Sequence, residues 1–182
     1  MIPEKGKILI SEPFLNDPNF KRSIILLSEH NVEGSVGFIL NKPTKLKVDQ
    51  VLDDFPEFDA TVYLGGPVQI NTLQFIHRLG DLIEGSTEIS DGLYWGGNFE
   101  VLMILIEANQ ITPDDIRFFI GYSGWTEGQL EGELKISSWI VASTIIDNIF
   151  SEEPDKLWRE ILKGMGKQFA ILASFPENPS VN

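Results

Sequence analysis

Ser23-Ile24-Ile25-Leu26-Leu27-Ser28 carries four aliphatic side chains in unbroken succession. Successive side chains of a strand point to opposite faces, so a strand with one wet face alternates polar and apolar residues. A run without alternation is expected where both faces are covered, and this stretch therefore predicts a central strand. Downstream, Asn31-Val32-Glu33-Gly34 supplies turn chemistry and Ser35-Val36-Gly37-Phe38-Ile39-Leu40 resumes the apolar pattern, so the pair reads as a hairpin. Upstream, Lys7-Ile8-Leu9-Ile10 reads as a shorter strand.

Further along, Asn41-Lys42-Pro43 is expected to end the hairpin, because proline donates no ladder hydrogen bond and restricts the residue before it. Val48, Val51, Leu52 and Phe55 fall at helical spacing. Thr61–Leu64 reads as a strand stopped by Gly65-Gly66-Pro67, and Leu73–Arg78 and Leu93–Trp95 read as further strands. Asn98 is placed to cap a helix over Phe99–Asn109. Ile116–Tyr122 reads as a strand, Gly121–Trp125 as a strand-to-helix turn, and Thr126-x-x-Gln129 as a capping box for a helix to about Leu134. A strand over Ile136–Ala142 and a helix opened by Ser151-Glu152-Glu153-Pro154 follow. The helix has the stripe Leu157, Trp158, Ile161 and Leu162 and ends at Gly164. Strands cluster early and helices come irregularly, without strict β-α-β-α alternation, so the fold class is α+β with a mixed sheet. One domain over residues 1–182 is expected, with an extended tail from about residue 174.

Composition narrows the functional classes. The 182 residues contain no cysteine and two histidines, which excludes disulfides and thiolate metal ligands and suits a reducing cytoplasm. The longest strongly apolar run, Val101–Ile106, is too short to span a bilayer. The net charge of −13 is uneven: residues 1–47 sum to +2 and residues 48–182 to −15. Nucleic-acid affinity comes mainly from neutralising phosphates, so broad DNA contact is not expected. The exception to weigh is Lys42, Lys45 and Lys47, joined by Lys21 and Arg22.

Gly121-Tyr122-Ser123-Gly124-Trp125 departs from the nucleophile elbow G-x-S-x-G, with tryptophan where the second glycine belongs. His30 beside Glu29 reads as a structural histidine at a strand end, with an acid–base pair as the alternative. Asp53-Asp54, Asp114-Asp115 and Glu127/Glu131/Glu133 are the acidic groups to weigh for a metal. None has a recognised ligand spacing, and Asp114-Asp115 after Thr112-Pro113 reads as helix capping. Neither Gly65-Gly66-Pro67 nor Gly96-Gly97 fits a nucleotide loop. No metal and no cofactor are expected.

Taken in order, several segments carry a resemblance. They are Pro13-x-Leu15-x-Asp17-x-x-Phe20-x-Arg22-Ser23, Glu29-His30, Gly65-Gly66-Pro67-Val68 and Arg117-Phe118-x-x-Gly121-Tyr122-Ser123-Gly124-Trp125-x-x-Gly128-Gln129-Leu130-Glu131, closed by Asn178-Pro179-Ser180-x-Asn182. The chain so read resembles the YqgE/AlgH family of small bacterial proteins over nearly its whole length. The resemblance implies a large mixed sheet, partly barrel-like, with flanking helices, in the bacterial cytosol. It also implies a transcriptional-regulator label, tied to alginate production, and brings no catalytic residues. The expected function is regulation through protein or small-ligand contacts, at a surface drawn from Arg22, Glu29, His30, Asn41, Ser123, Trp125, Gln129 and Glu131. Two alternatives stand beside it: an enzyme or small-molecule binder around His30, Asn41 and Glu131, and direct DNA binding through Lys42, Lys45 and Lys47.

Overall fold

A computed structural model describes residues 1–176. Ten strands form one sheet: β1 (Lys7–Ser11), β2 (Ile24–Asn31), β3 (Gly34–Ile39), β4 (Pro43–Lys47), β5 (Thr61–Leu64), β6 (Val68–His77), β7 (Thr87–Ser90), β8 (Leu93–Trp95), β9 (Ile116–Thr126) and β10 (Trp139–Ser143). Six helices accompany them: α1 (Val48–Val51), α2 (Phe99–Glu107), α3 (Gln129–Lys135), α4 (Ile146–Ile149), α5 (Pro154–Gly164) and α6 (Lys167–Ser174). The strand order is β10-β1-β2-β3-β9-β6-β8-β7, with β5 parallel on β9 and β4 on β5. The sheet is therefore mixed, as the patterning predicts. It does not close, since β10 and β7 end its main path.

The unbroken run in β2 feeds two cores in turn. Ile24 and Leu26 join Ile8, Ile10, Phe38 and Leu40 on one face, covered by Leu157, Trp158 and Leu162 of α5 and Ala173 of α6. Ile25 and Leu27 join Leu9, Ile39, Trp125 and Trp139 on the other, covered by Leu130 of α3 and by Leu15 and Phe20 of the loop after β1. Each such side chain contributes about 1.5–3 kcal/mol on burial, which is why a strand this apolar sits in the middle. A third core gathers Val62, Phe75, Phe118, Leu102 and Ile106 under α2. The Asn98 carboxamide oxygen caps α2, accepting from Glu100 N at 3.0 Å and Val101 N at 3.2 Å.

β9 is the spine. Ile116–Ile120 lies between β5 and β6, and Ser123–Thr126 pairs with β3. The handover happens at Gly65 and Gly121. Gly65 O accepts from Ile39 N at 2.9 Å, and Gly65 N donates to Ile120 O at 2.9 Å. A Cβ on Gly65 would lie 2.3 Å from Gly121 O, and one on Gly66 would lie 2.3 Å from Tyr122 C. The two chain segments touch backbone to backbone, and only glycine permits it.

The structure corrects several sequence-based expectations. Gly121–Trp125 is strand, not a turn into a helix: Gly121 at φ +65° bends β9 without ending it. β3 ends at Ile39, before Pro43 as expected, but Pro43 then opens a further strand, β4, that the sequence reading did not anticipate. The helix after it is a single turn, Val48–Val51. The strand expected at Ile136 begins at Trp139 instead. The tail expected from about residue 174 lies mostly outside the described residues, with α6 running to Ser174.

Candidate functional site

Two elements meet at one end of the sheet: the tip of the β2–β3 hairpin and the junction of β9 with α3. The register of β2 on β3 shifts between Leu27 and Glu29, leaving buried Ser28 to donate its hydroxyl to Val36 O at 3.2 Å. That bulge re-aims the residues beyond it, sending Glu29 outward and His30 toward α3. His30 Nδ1 lies 2.7 Å from Ser35 Oγ, and Nε2 lies 3.8 Å from Glu131 Oε1. The His30 side chain is 18% exposed and that of Glu131 48%. Ser35 is buried, so this Ser–His–Glu chain presents no accessible nucleophile.

Behind it stands a tighter cluster. Glu133 Oε2 accepts the indole N–H of Trp125 at 2.9 Å and that of Trp139 at 2.7 Å. Glu133 Oε1 accepts Gln129 Nε2 at 3.0 Å, and Gln129 Oε1 accepts the Thr126 backbone N–H at 3.1 Å. Phe20 stacks on Trp125 and meets Trp139 edge-on. Glu133 thus fastens β9, β10 and α3 together. Sequence reasoning weighed it only as a metal ligand, and its spacing from Trp125 and Trp139 carries no motif. The Gln129 contact realises the expected capping interaction, although the helix itself starts after Gly128 at φ +71°.

The remaining predicted residues disperse. Ser123 is fully buried and donates its hydroxyl to Gly65 O at 3.0 Å, a bond that holds the handover at β9. Glu29 accepts from Asn31 Nδ2 at 2.9 Å and is not the partner of His30. Asn41 is not beside His30 either: its carboxamide accepts from Ile24 N and donates to Arg22 O, both at 2.8 Å. Ile24 and His30 lie six residues apart on β2, roughly 20 Å along a strand. The arrangement of His30, Asn41 and Glu131 about one pocket is therefore corrected. Arg22, at φ +51°, lies with Asn41, its guanidinium 5.0 Å from the Trp158 ring.

Among the basic residues, Lys47 Nζ is 2.7 Å from an Asp59 carboxylate oxygen and also donates to Thr61 Oγ1. Asp115 accepts from the backbone N–H and hydroxyl of Thr112, both at 2.9 Å, which is the capping role expected of it. No group of three or more potential metal ligands occurs among the described residues. No described helix is long and apolar enough to cross a membrane.

Two buried titratable groups went unweighted in the sequence. His77 Nδ1 accepts from Leu79 N at 3.3 Å, which leaves Nε2 to donate to Gly96 O at 3.0 Å. The ring is neutral, and burial lowers its pKa from the ordinary histidine value. Arg117 is buried with its guanidinium 4.2 Å from the Tyr63 ring, donating to Leu40 O and Ser151 O. Burial pulls its pKa down, and Tyr63 acts in the opposite direction.

Comparison with known proteins places these features in a wider set. A family model described as AlgH-like matches residues 8–170. A UPF0301 protein of Chlorobaculum tepidum is 42% identical over 181 residues, covering 100% of this chain and 97% of its own. A UPF0301 protein of Cytophaga hutchinsonii is 45% identical over 179 residues, covering 98% of each. The solution structure of the AlgH protein from Pseudomonas aeruginosa superposes with a TM-score of 0.75 at 28% identity, covering 94% of each chain. A crystal structure of a Corynebacterium diphtheriae protein superposes at 0.79 with 19% identity, covering 96% of this chain and 94% of that one.

Proposed function

The chain belongs to the AlgH-like family, and on that footing we propose that it is a cytoplasmic, non-enzymatic regulatory protein acting through protein contact at the hairpin–α3 end of its sheet. The observation that carries this reading is the threefold-bonded Glu133. It commits the special polar and aromatic residues of this end to a rigid platform. The platform presents an outer face that is exposed and acidic at Glu29, Glu33, Glu127 and Glu131, with Val32 at the hairpin tip 86% exposed. A rigid acidic rim around an exposed aliphatic residue suits a basic protein partner.

Direct DNA binding draws less support. Lys47 already pairs with Asp59, and the whole molecule repels a polyanion. The enzyme reading would need Ser35 or His30 to reach a substrate, and the buried Ser35 hydroxyl argues against it.

Site-specific photo-crosslinking in cells of the source bacterium tests the proposal. A photoreactive residue in place of Val32 should yield a discrete crosslinked protein, while one in place of Ile104 on α2, 61% exposed, should not. Equal crosslinking at both positions, or none at either, would contradict it.

A further inference from the structure

At the opposite end of β2 the molecule changes sign. A cavity of about 310 Å³ opens between the turn before β2, the segment after β3 and the first turns of α5. Lys21, Arg22, Lys42, Lys156 and Arg159 line it, with Asp155 the one acidic lining residue among those described. The chain has only 14 basic residues and a net charge of −13, so five of them around one small cavity is a strong local departure. Like charges this close repel, and an anion among them relieves the repulsion.

The pocket is also built, and Arg22 is its fixed point. Its backbone sits at φ +51°, a conformation that is strained for a non-glycine residue and needs a hold. Asn41 supplies the hold, donating to Arg22 O at 2.8 Å while accepting from Ile24 N at 2.8 Å. The guanidinium is then positioned by the Trp158 ring 5.0 Å away and by donation from Nη2 to Phe175 O at 2.6 Å. Its Nε is buried and has no hydrogen-bond partner among the described residues. A buried donor of this kind is costly to leave unpaired, and it is a ready contact for a bound oxygen. Each of the three lysines has another engagement. Lys156 pairs with Glu153 at 2.5 Å, and Lys42 donates to Asn19 O.

We propose that this cavity between Arg22, Asn41 and α5 binds a phosphate-bearing small molecule. Its volume is at the low end for small-ligand sites and far too small for a duplex. A carboxylate brings one charge, whereas a phosphate brings close to two and three strong acceptor oxygens, which suits a rim of this charge better. Arginine's planar fork is matched to such groups, and Arg22 is held in place before any ligand arrives. The site stands apart from the hairpin–α3 surface and does not depend on its role.

Isothermal titration of the full chain with inorganic pyrophosphate tests this, using Arg22→Gln and Arg159→Gln as separate variants and thermal melts as the folding control. Saturable one-to-one binding, weakened at least about tenfold in each variant and unaffected by Glu131→Lys, is the expected result. Arg159 lies on a helix surface, so its variant remains informative if Arg22→Gln does not fold. No saturable binding at millimolar pyrophosphate would overturn the proposal, as would an affinity equal to the parent protein's in both variants when folded. Displacement of pyrophosphate by a short DNA duplex would overturn the small-molecule reading.

Discussion

Trp125 and Trp139 share one acceptor. Their indole N–H groups converge on the same Glu133 oxygen at 2.9 and 2.7 Å, with the rings 6.0 Å apart and nearly perpendicular. Both tryptophans are 5% exposed, so neither indole has a ready alternative in water. Replacing Glu133 by alanine orphans two buried donors at once. We expect a stability loss of about 2–4 kcal/mol in urea denaturation, with the m-value unchanged. Trp139→Phe removes one donor and leaves the acceptor paired, so it should cost less than Glu133→Ala. A loss below about 0.5 kcal/mol for Glu133→Ala would show that the shared bond does not hold this end together.

Gly121 and Gly128 separate two kinds of glycine requirement. Both have positive φ, +65° and +71°. A Cβ at Gly121 would fall 2.6 Å from Gly66 O and 2.8 Å from Val68 O, whereas at Gly128 nothing lies within 4 Å. Gly128→Ala should cost only the left-handed backbone penalty of about 1 kcal/mol. Gly121→Ala adds a backbone clash and should cost about 3 kcal/mol or more, read as a fall in melting temperature. Equal costs would refute the close crossing of the two segments.

His77 makes stability fall on the acid side. Its folded-state pKa lies below the ordinary 6.5 because burial disfavours the charged ring, outweighing the Gly96 carbonyl that favours it. Below 6.5 the unfolded chain therefore takes up a proton that the folded chain resists. Stability contributed by the neutral ring is present above pH 6.5 and is lost as the pH drops through and below that value. Denaturation midpoints between pH 7.5 and 5 should fall, and His77→Gln should flatten that part of the profile. An unchanged slope in the variant would remove His77 as the cause.

Asn41 should behave as a scaffold residue. Asn41→Asp keeps the acceptor for Ile24 N but puts a carboxylate oxygen against Arg22 O in place of a donor. A loss of about 1–3 kcal/mol is expected, with unchanged binding at the hairpin end. Stability equal to the parent protein would remove the clamp.

How much of this was readable in advance depended on where the partners of each residue lay. β2 was legible because Ile24, Ile25, Leu26 and Leu27 each face a core, alternately one and then the other. The capping of α2 by Asn98 was legible because its partners are two and three residues away. β4 and β7 were not, since Thr44, Lys45, Thr87 and Glu88 are polar and their strands hold an edge or a periphery with little burial. Gly121 of β9 looked like part of a turn because the reason for it, the backbone of Gly66 and Val68, lies more than fifty residues earlier. The site was hidden for a different reason, since Gln129, Trp139 and Trp125 lie close to Glu133 in sequence but at a spacing that forms no motif. Glu133 gathers partners from three elements, and Asn41 was grouped with His30 by residue type although each serves a different end of one strand.

The claim that the acidic end is a protein-contact surface is tested most directly by quantitative affinity capture. The parent protein and a Glu29→Lys/Glu131→Lys variant, matched in melting temperature, would each serve as bait in a lysate of the source organism, and the retained proteins would be compared by mass spectrometry. The account predicts a defined basic protein retained by the parent and depleted at least about tenfold with the variant. Retention of the same proteins in equal amounts by both would contradict it.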